Sequence, residues 1–333
     1  MNKSLKQILI GATVVAFTAC GGGGGGGTHA GAGTGTTGGT ITGGGTTTGG
    51  GTDAGETTNE SSMSECGRTF NITSHLVKET NFKIGSKNVV EYVTTFEYDS
   101  SNRLKVTKIF SGATNVLAVE ILHEYASNGY LKLIKLTSYN LNTADENDIS
   151  SETTTEYMYK DDKLEYAETK NSKDVVISKR DVLAYEGKCI PSQIKHTTYY
   201  DMNGSIANTY NYQRFFSGDD ENYVNKIENN KNQVFTATYY KQISDDPYAY
   251  IAAGTQKRRL ESWFENYKLI NKLTSKDGDV ESTTWIEHNI TYDAQKLPIS
   301  ILEKRTIVTE KTEKIKERYS TYELYSTYEY AEI

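Results

Sequence analysis

From about Glu65 to the C-terminus, Thr, Tyr, Val and Ile recur at every second position between short clusters of Asn, Asp, Gly and Ser. Successive side chains of an extended chain leave on opposite sides, so this period of two predicts strands with one face on a core and one in water. Val90, Tyr92, Thr94, Phe96 and Tyr98 would line one strand face. After the turn Asp99-Ser100-Ser101-Asn102, Leu104, Val106 and Phe110 continue on the return strand. Asp201-Met202-Asn203-Gly204 predicts a second hairpin turn, because an Asn-Gly pair takes positive φ readily, and Lys276-Asp277-Gly278-Asp279 a third. Gln256 to Tyr267 carry a mild helical pattern. The tail from Arg305 to Glu332 predicts two long strands, although its Lys/Glu-rich stretch also reads as a helix.

The hairpins repeat a register. Tyr185/Ile190/Ile194, Phe264/Leu269/Leu273 and Tyr292/Leu297/Ile301 share one spacing; Tyr98/Leu104/Ile109 and Tyr125/Leu131/Leu136 have a turn one residue longer, and Tyr159/Leu164 is a degenerate copy. Pro191 and Pro298 directly follow Ile190 and Leu297. A proline cannot donate to a strand ladder, so each marks a strand start or an edge.

Only 36% of the chain is apolar while tyrosines number 25, and a tyrosine ring buries apolar area with its hydroxyl still wet. This predicts an all-β domain over residues 64–333. It is an antiparallel meander of repeated hairpins, about ten to fifteen strands forming an extended or curled sheet.

Phe96-Glu97-Tyr98-Asp99-Ser100-Ser101-Asn102-Arg103-Leu104 resembles the YD repeat of RHS-type proteins and bacterial surface lipoproteins, with Asn102 where glycine is usual. Asn289-Ile290-Thr291-Tyr292-Asp293-Ala294-Gln295-Lys296-Leu297 matches the T-Y-D-x-x-x-L core, and Tyr200-Asp201-Met202-Asn203-Gly204 keeps its front half. The resemblance implies sheets or shells and no catalytic role for the motif.

Ahead of the strands, Lys3 and Lys6, an apolar stretch from Ile8 to Phe17, and the small pair Thr18-Ala19 before Cys20 have the layout of a signal peptide over residues 1–19. The apolar stretch is shorter than the roughly 20 residues of a membrane-spanning helix. Phe17-Thr18-Ala19-Cys20 resembles the lipobox of bacterial lipoproteins, which implies cleavage before Cys20, acylation there with chains such as palmitate, and residence at the outer membrane. An ordinary secretory signal with an incidental cysteine is the other reading. Nineteen of the 29 glycines lie between Gly21 and Gly55, interleaved with threonine. Residues 20–63 are therefore expected to be a flexible tether, spanning roughly 35 Å as a Gly-rich coil of about 40 residues.

Removing the leader deletes Lys3 and Lys6 and no acid, taking the formal charge from −7 to −9. Such a chain lacks the basic stripe that nucleic acid requires. Cys66 and Cys189 are expected to form a disulfide, since an exported chain meets oxidising conditions; two separate buried thiols are the alternative. His75, His123, His196 and His288 are scattered singly and read as sheet-surface residues, without metal-ligand spacing. Asp145-Glu146-Asn147-Asp148, Asp219-Asp220-Glu221 and Asp277-Gly278-Asp279 read as solvated turns rather than calcium loops. No catalytic constellation or cofactor fingerprint is expected. Trp263 and Trp285, with tyrosines at alternate positions, suggest an aromatic platform for sugar rings or a partner's surface; packing of the sheet against itself is the simpler use. The expected function is a membrane-tethered, non-enzymatic binding or scaffolding lipoprotein whose partner is a glycan or an envelope protein. A glycan or envelope hydrolase with a site assembled across strands, and a lipid-handling or assembly lipoprotein, are the alternatives.

Overall fold

The computed structural model describes residues 74–141, 148–161, 163–185, 191–200, 205–217, 220–239, 270–310 and 318–332. They form sixteen strands: β1 (Ser74–Phe82), β2 (Val90–Tyr98), β3 (Leu104–Ser111), β4 (Leu117–Tyr125), β5 (Leu131–Tyr139), β6 (Ile149–Lys160), β7 (Lys163–Asn171), β8 (Val176–Tyr185), β9 (Pro191–Tyr199), β10 (Ile206–Ser217), β11 (Asp220–Asn229), β12 (Gln233–Tyr239), β13 (Ile270–Asp277), β14 (Val280–Tyr292), β15 (Pro298–Thr309) and β16 (Arg318–Glu332). Each pairs antiparallel with its sequence neighbours, and β1 pairs with β16, so the meander closes into a barrel. The expected extended or curled sheet is corrected to a closed one. The β1–β16 seam runs from Ser74↔Glu332 to Asn81↔Ser326, with Lys78 Nζ 2.7 Å from Glu329 Oε1. Among the described strands, closure leaves no edge for another chain to extend.

Four hairpins use one turn. Oδ1 of Asp99, Asn171, Asn229 and Asp293 accepts the backbone N–H groups two and four residues on. The residue just before the chain re-enters the ladder is left-handed: Asn102 (φ 57°), Asp174 (φ 60°), Asn232 (φ 61°) and Lys296 (φ 64°). Asn and Asp tolerate that conformation because their short polar side chains bond locally. The third expected turn forms across Gly278 (φ 59°) and Asp279. Asp201–Gly204 and the expected helix from Gln256 lie outside the described residues. Pro191 and Pro298 begin β9 and β15, and the tail supplies β15 and β16 as strands.

The repeat explains the core. Leu76, Leu104, Ile109, Leu131, Leu164, Ile194, Leu297 and Ile301 are buried. The Tyr98, Tyr125 and Tyr185 hydroxyls donate to the backbone carbonyls of Leu76, Leu104 and Leu164 at 2.7, 2.9 and 2.7 Å, and Tyr330 donates to that of Pro298 at 2.9 Å. Each tyrosine thus holds the carbonyl of an apolar residue on the preceding strand. This lacing makes an apolar belt inside one end of the barrel.

A register break follows the first residue of β3. Tyr98 faces Leu104 but Glu97 faces Val106, leaving Lys105 as the extra residue of a bulge. Leu104, Val106 and Phe110 all lie on the return strand β3; the bulge puts Thr107 and Ile109 on the face of Leu104 and Val106 and Phe110 on the other, where Val106 is still buried. The same break recurs at Lys132 and Glu165. It explains a spacing of five between paired core residues, which an unbroken strand would put on opposite faces.

Candidate functional site

Register and burial separate two faces. The more buried face carries Glu79, Thr94, Phe96, Ile109, Val119, Ala167, Ile194, Arg214, Ile227 and Ala237, all under a tenth exposed. The other face also buries small side chains such as Val106, Thr137 and Thr197, but among the described residues the charged side chains under a tenth exposed, Glu79 and Arg214, are on this face, so this face lines the barrel. Several of its members stay partly accessible, among them Thr153, Ser178, Tyr210, Thr284, Ile286 and Tyr322, so water reaches the interior.

The two faces divide the cations by type. Among the described residues Lys78, Lys108, Lys135, Lys170, Lys179, Lys195, Lys226, Lys272, Lys276 and Lys304 fall by register on the outer face, whereas Arg180, Arg214 and Arg305 fall on the inner one. The outer lysines meet carboxylates: Lys108 with Glu97 at 2.8 Å, Lys135 with Glu152 at 2.8 Å, Lys179 with Asp181 at 2.9 Å, Lys170 with Glu156 at 3.3 Å and Lys304 with Glu287 at 3.8 Å. Such exposed pairs contribute about 0–1 kcal/mol each. Their weight lies in location, because a lysine at a bilayer midplane costs about 2–4 kcal/mol on a barrel's lipid face.

The arginines sit where water is scarcer, and a planar guanidinium keeps its charge and bonds there in a fixed fork. On one wall Arg305 Nε and Nη2 donate to Glu303 Oε2 at 2.8 and 2.6 Å, and His288 Nε2 lies 3.6 Å from Glu303 Oε1. Burial alone would raise the Glu303 pKa, but the His288 hydrogen bond and the Arg305 charge outweigh it and hold the carboxyl at about 2. Nearby, burial and then the Glu79 and Glu91 carboxylates push the Tyr92 hydroxyl upward. Ser326 Oγ donates to Asn81 Oδ1 at 2.6 Å.

Half a circuit away, Arg180, His196 and Tyr210 form one inner row across β8, β9 and β10. Ser178, Thr198 and Asn208 form the row beside it, and Val182, Ile194, Tyr212 and Asn229 the row on its other side. Ser178 Oγ and His196 Nε2 are 2.9 Å apart. Burial first, and Arg180 second, lower the His196 pKa to about 4, so the imidazole is neutral. Burial, then Tyr210, pushes the Tyr212 hydroxyl up to about 12. A serine beside a neutral histidine makes two parts of a nucleophile-and-base arrangement. The inner-face neighbours of His196 by register are a cation and a phenol, not the carboxylate that would orient it as a base.

His196 and His288 therefore line the interior, and His75 and His123 are buried, with His75 stacked 4.0 Å from the Tyr98 ring. This corrects their reading as surface residues: alternation identifies two faces without saying which is concave. Trp285 lies on the outer face, 43% exposed, in an open depression of about 510 Å³ with Thr238, Lys272, Glu287 and Thr306. The Lys272 ammonium stands 5.7 Å from its ring centre. Trp263, Cys20, Cys66 and Cys189 lie outside the described residues, as do 145–147 and 219 of the acidic clusters. Asp277 and Asp279 flank Gly278 in an exposed turn. The inner arginines had no motif to reveal them. Their only sequence signal is an Arg at the parity of the buried residues where every neighbouring cation is Lys.

No family model and no curated protein matches the sequence. Among solved structures, a porin-like protein from Bacteroides uniformis is similar at 14% identity and a TM-score of 0.45, covering 76% of this chain and 96% of its own. A porin-like protein from Bacteroides vulgatus is similar at 12% identity and a TM-score of 0.32, covering 78% and 100%. TcdB2-TccC3 follows at 11% and 0.24, covering 69% of this chain and 14% of that one. Similarity of this order leaves function to be argued from the barrel's own residues.

Proposed function

We propose that this chain is a lipid-anchored protein of the bacterial envelope whose barrel stands in water at the end of a Gly/Thr tether. It binds a ligand without turning it over, and the inner wall is the binding compartment. The observation that carries the reading is the outer face. Lysines and carboxylates recur around the circuit where a spanning barrel presents an unbroken apolar band about 25 Å tall. The anchor then falls to Cys20, where several acyl chains hold a protein that one chain alone holds only marginally. A polar, water-reached interior with clustered Arg, His and Tyr side chains is the part of the molecule suited to recognition.

Cell fractionation of wild type and Cys20→Ala tests it. Wild type is expected with the membranes, and Cys20→Ala in the soluble fraction, folded and resistant to protease. A Cys20→Ala chain that stays with the membrane until detergent is added would show a spanning barrel and overturn the proposal.

A further inference from the structure

We infer that the depression around Trp285 on the outer face binds a neutral sugar chain. The indole takes the C–H face of a pyranose ring, and Thr238, Asn271, Lys272 and Thr306 take its hydroxyls. This site is separate from the inner wall and presupposes only that the barrel stands in water.

The first argument is the placement of the ring. Trp285 pairs with Lys272 on β13 and Thr306 on β15, and on its own strand Thr283 and Glu287 share its face. The ring thus points outward among polar side chains, where it packs no core, and 43% of the residue is open to water. That exposure persists with the Lys272 ammonium in place 5.7 Å from the ring centre, the longest lysine–ring contact among the described residues. A large apolar ring left open in water gains free energy when a ligand covers it. An apolar partner surface would want apolar neighbours around the ring. A ring of polar groups instead suits a molecule that alternates C–H faces with hydroxyls.

The second argument is the state of those groups. Among the described residues, Thr238, Asn271 and the Trp285 N–H make no side-chain hydrogen bond, and Lys272 meets no carboxylate. Thr306 Oγ1 lies 3.4 Å from Thr321 Oγ1, and a hydroxyl with one donor and two acceptor sites keeps capacity beyond one such contact. Elsewhere on the outer face lysines are matched by acids, but the row across Thr238, Lys272, Trp285, Thr306 and Thr321 holds no acid. Glu287, beside that row, stands 3.8 Å from Lys304. One cation and one anion line the depression, so it favours neither sign of ligand charge.

The third argument is shape. The volume of about 510 Å³ falls within the roughly 300–1,000 Å³ of small-molecule sites. The depression borders a notch in the closed wall, because β12 runs on through Ala237 and Thr238 against β13 after its ladder with β11 has ended at Lys226↔Thr236. Asn271 is the extra residue of a bulge between Lys272 and Ile270, a device that re-aims a side chain out of the regular alternation.

The test uses the full-length chain in a detergent without a sugar headgroup. Trp263→Phe removes the other of its two tryptophans, so emission reports Trp285 alone. The probes are maltohexaose, cellohexaose and N-acetylchitohexaose, with a galacturonic acid hexamer as the charged comparison, and calorimetry reads affinity. At least one neutral hexamer is expected to bind saturably and to shift the Trp285 emission to the blue as the ring loses water. Its affinity should stay within about twofold between about 50 mM and about 500 mM salt, since no charge is neutralised. Trp285→Ala should lose at least about tenfold in affinity, and Trp285→Phe should keep part of it, because a smaller ring still offers a face. Asn271→Ala should lose about threefold. Thermal unfolding establishes that each variant is folded. Silence from all three neutral hexamers would overturn the inference. Full affinity in a folded Trp285→Ala would also overturn it, placing the sugar elsewhere, the inner wall included. A galacturonic acid hexamer that binds more tightly and is released by salt would overturn the neutral assignment. None of these outcomes touches the barrel's place in water, which Cys20→Ala fractionation decides separately.

Discussion

At the scale of single residues, the tyrosine lacing and the interior titratable groups carry distinct predictions. Tyr98→Phe keeps the ring over the core and removes the 2.7 Å hydrogen bond to the Leu76 carbonyl. The expected loss is about 1 kcal/mol, read as a fall of roughly 2–4 °C in the unfolding midpoint of a domain this size. Acid acts through His196 and Glu303 in two different windows. His196 is neutral down to about pH 4 in the fold, whereas an unfolded chain protonates it near its ordinary value of about 6.5. The unfolded state therefore holds the extra proton between those values, and stability falls as pH drops through that window, by up to roughly 3 kcal/mol. Glu303, held at about 2, adds stability that is complete above its ordinary carboxylate range and is lost as pH falls from there toward 2. His196→Gln keeps a partner for Ser178 and abolishes the first window alone. Urea unfolding at stepped pH would check this; an unchanged slope between pH 6.5 and 4 in that variant would refute it.

For a strand, parity decides everything. Lys105 carries no core contact, and as the extra residue of the β3 bulge it lets Leu104 and Ile109, five positions apart, share a face. Deleting it leaves Leu104, Thr107 and Ile109 on that face in a regular ladder, whereas deleting Lys108, beyond the bulge, turns Ile109 to the other face. Ile109 is fully buried, and removing such a side chain from a core costs about 2–5 kcal/mol. The Lys108 deletion is therefore expected to destabilise far more than the Lys105 deletion. Equal midpoints for the two variants would show that the strand slips without cost.

The whole molecule depends on one seam between strands distant in sequence. β16 closes the barrel onto β1 through seven residue pairs and the Lys78–Glu329 ion pair. Truncation before Arg318 leaves β15 and β1 as open edges, whose unpaired N–H and C=O groups seek other chains. The truncated chain is expected to self-associate, and sedimentation would show larger species in place of the wild-type one. A truncated chain with unchanged size would mean that the sheet remains curled and covered without its last strand.

Local chemistry is legible in the sequence. The Asp99 and Asp293 turns, the left-handed Asn102, the strand starts at Pro191 and Pro298, and the buried aliphatics five or four residues apart all depend on contacts within a hairpin, which the order of residues encodes directly. Closure, concavity and the opposed polar walls do not. Period two states that a strand has two faces, but the β1–β16 pairing that makes one face the inside joins residues some 250 positions apart. His196 and His288 consequently read as surface residues although both face inward. Arg180 likewise joined His196 and Tyr210 in one inner row only when the strands were paired around the closed circuit.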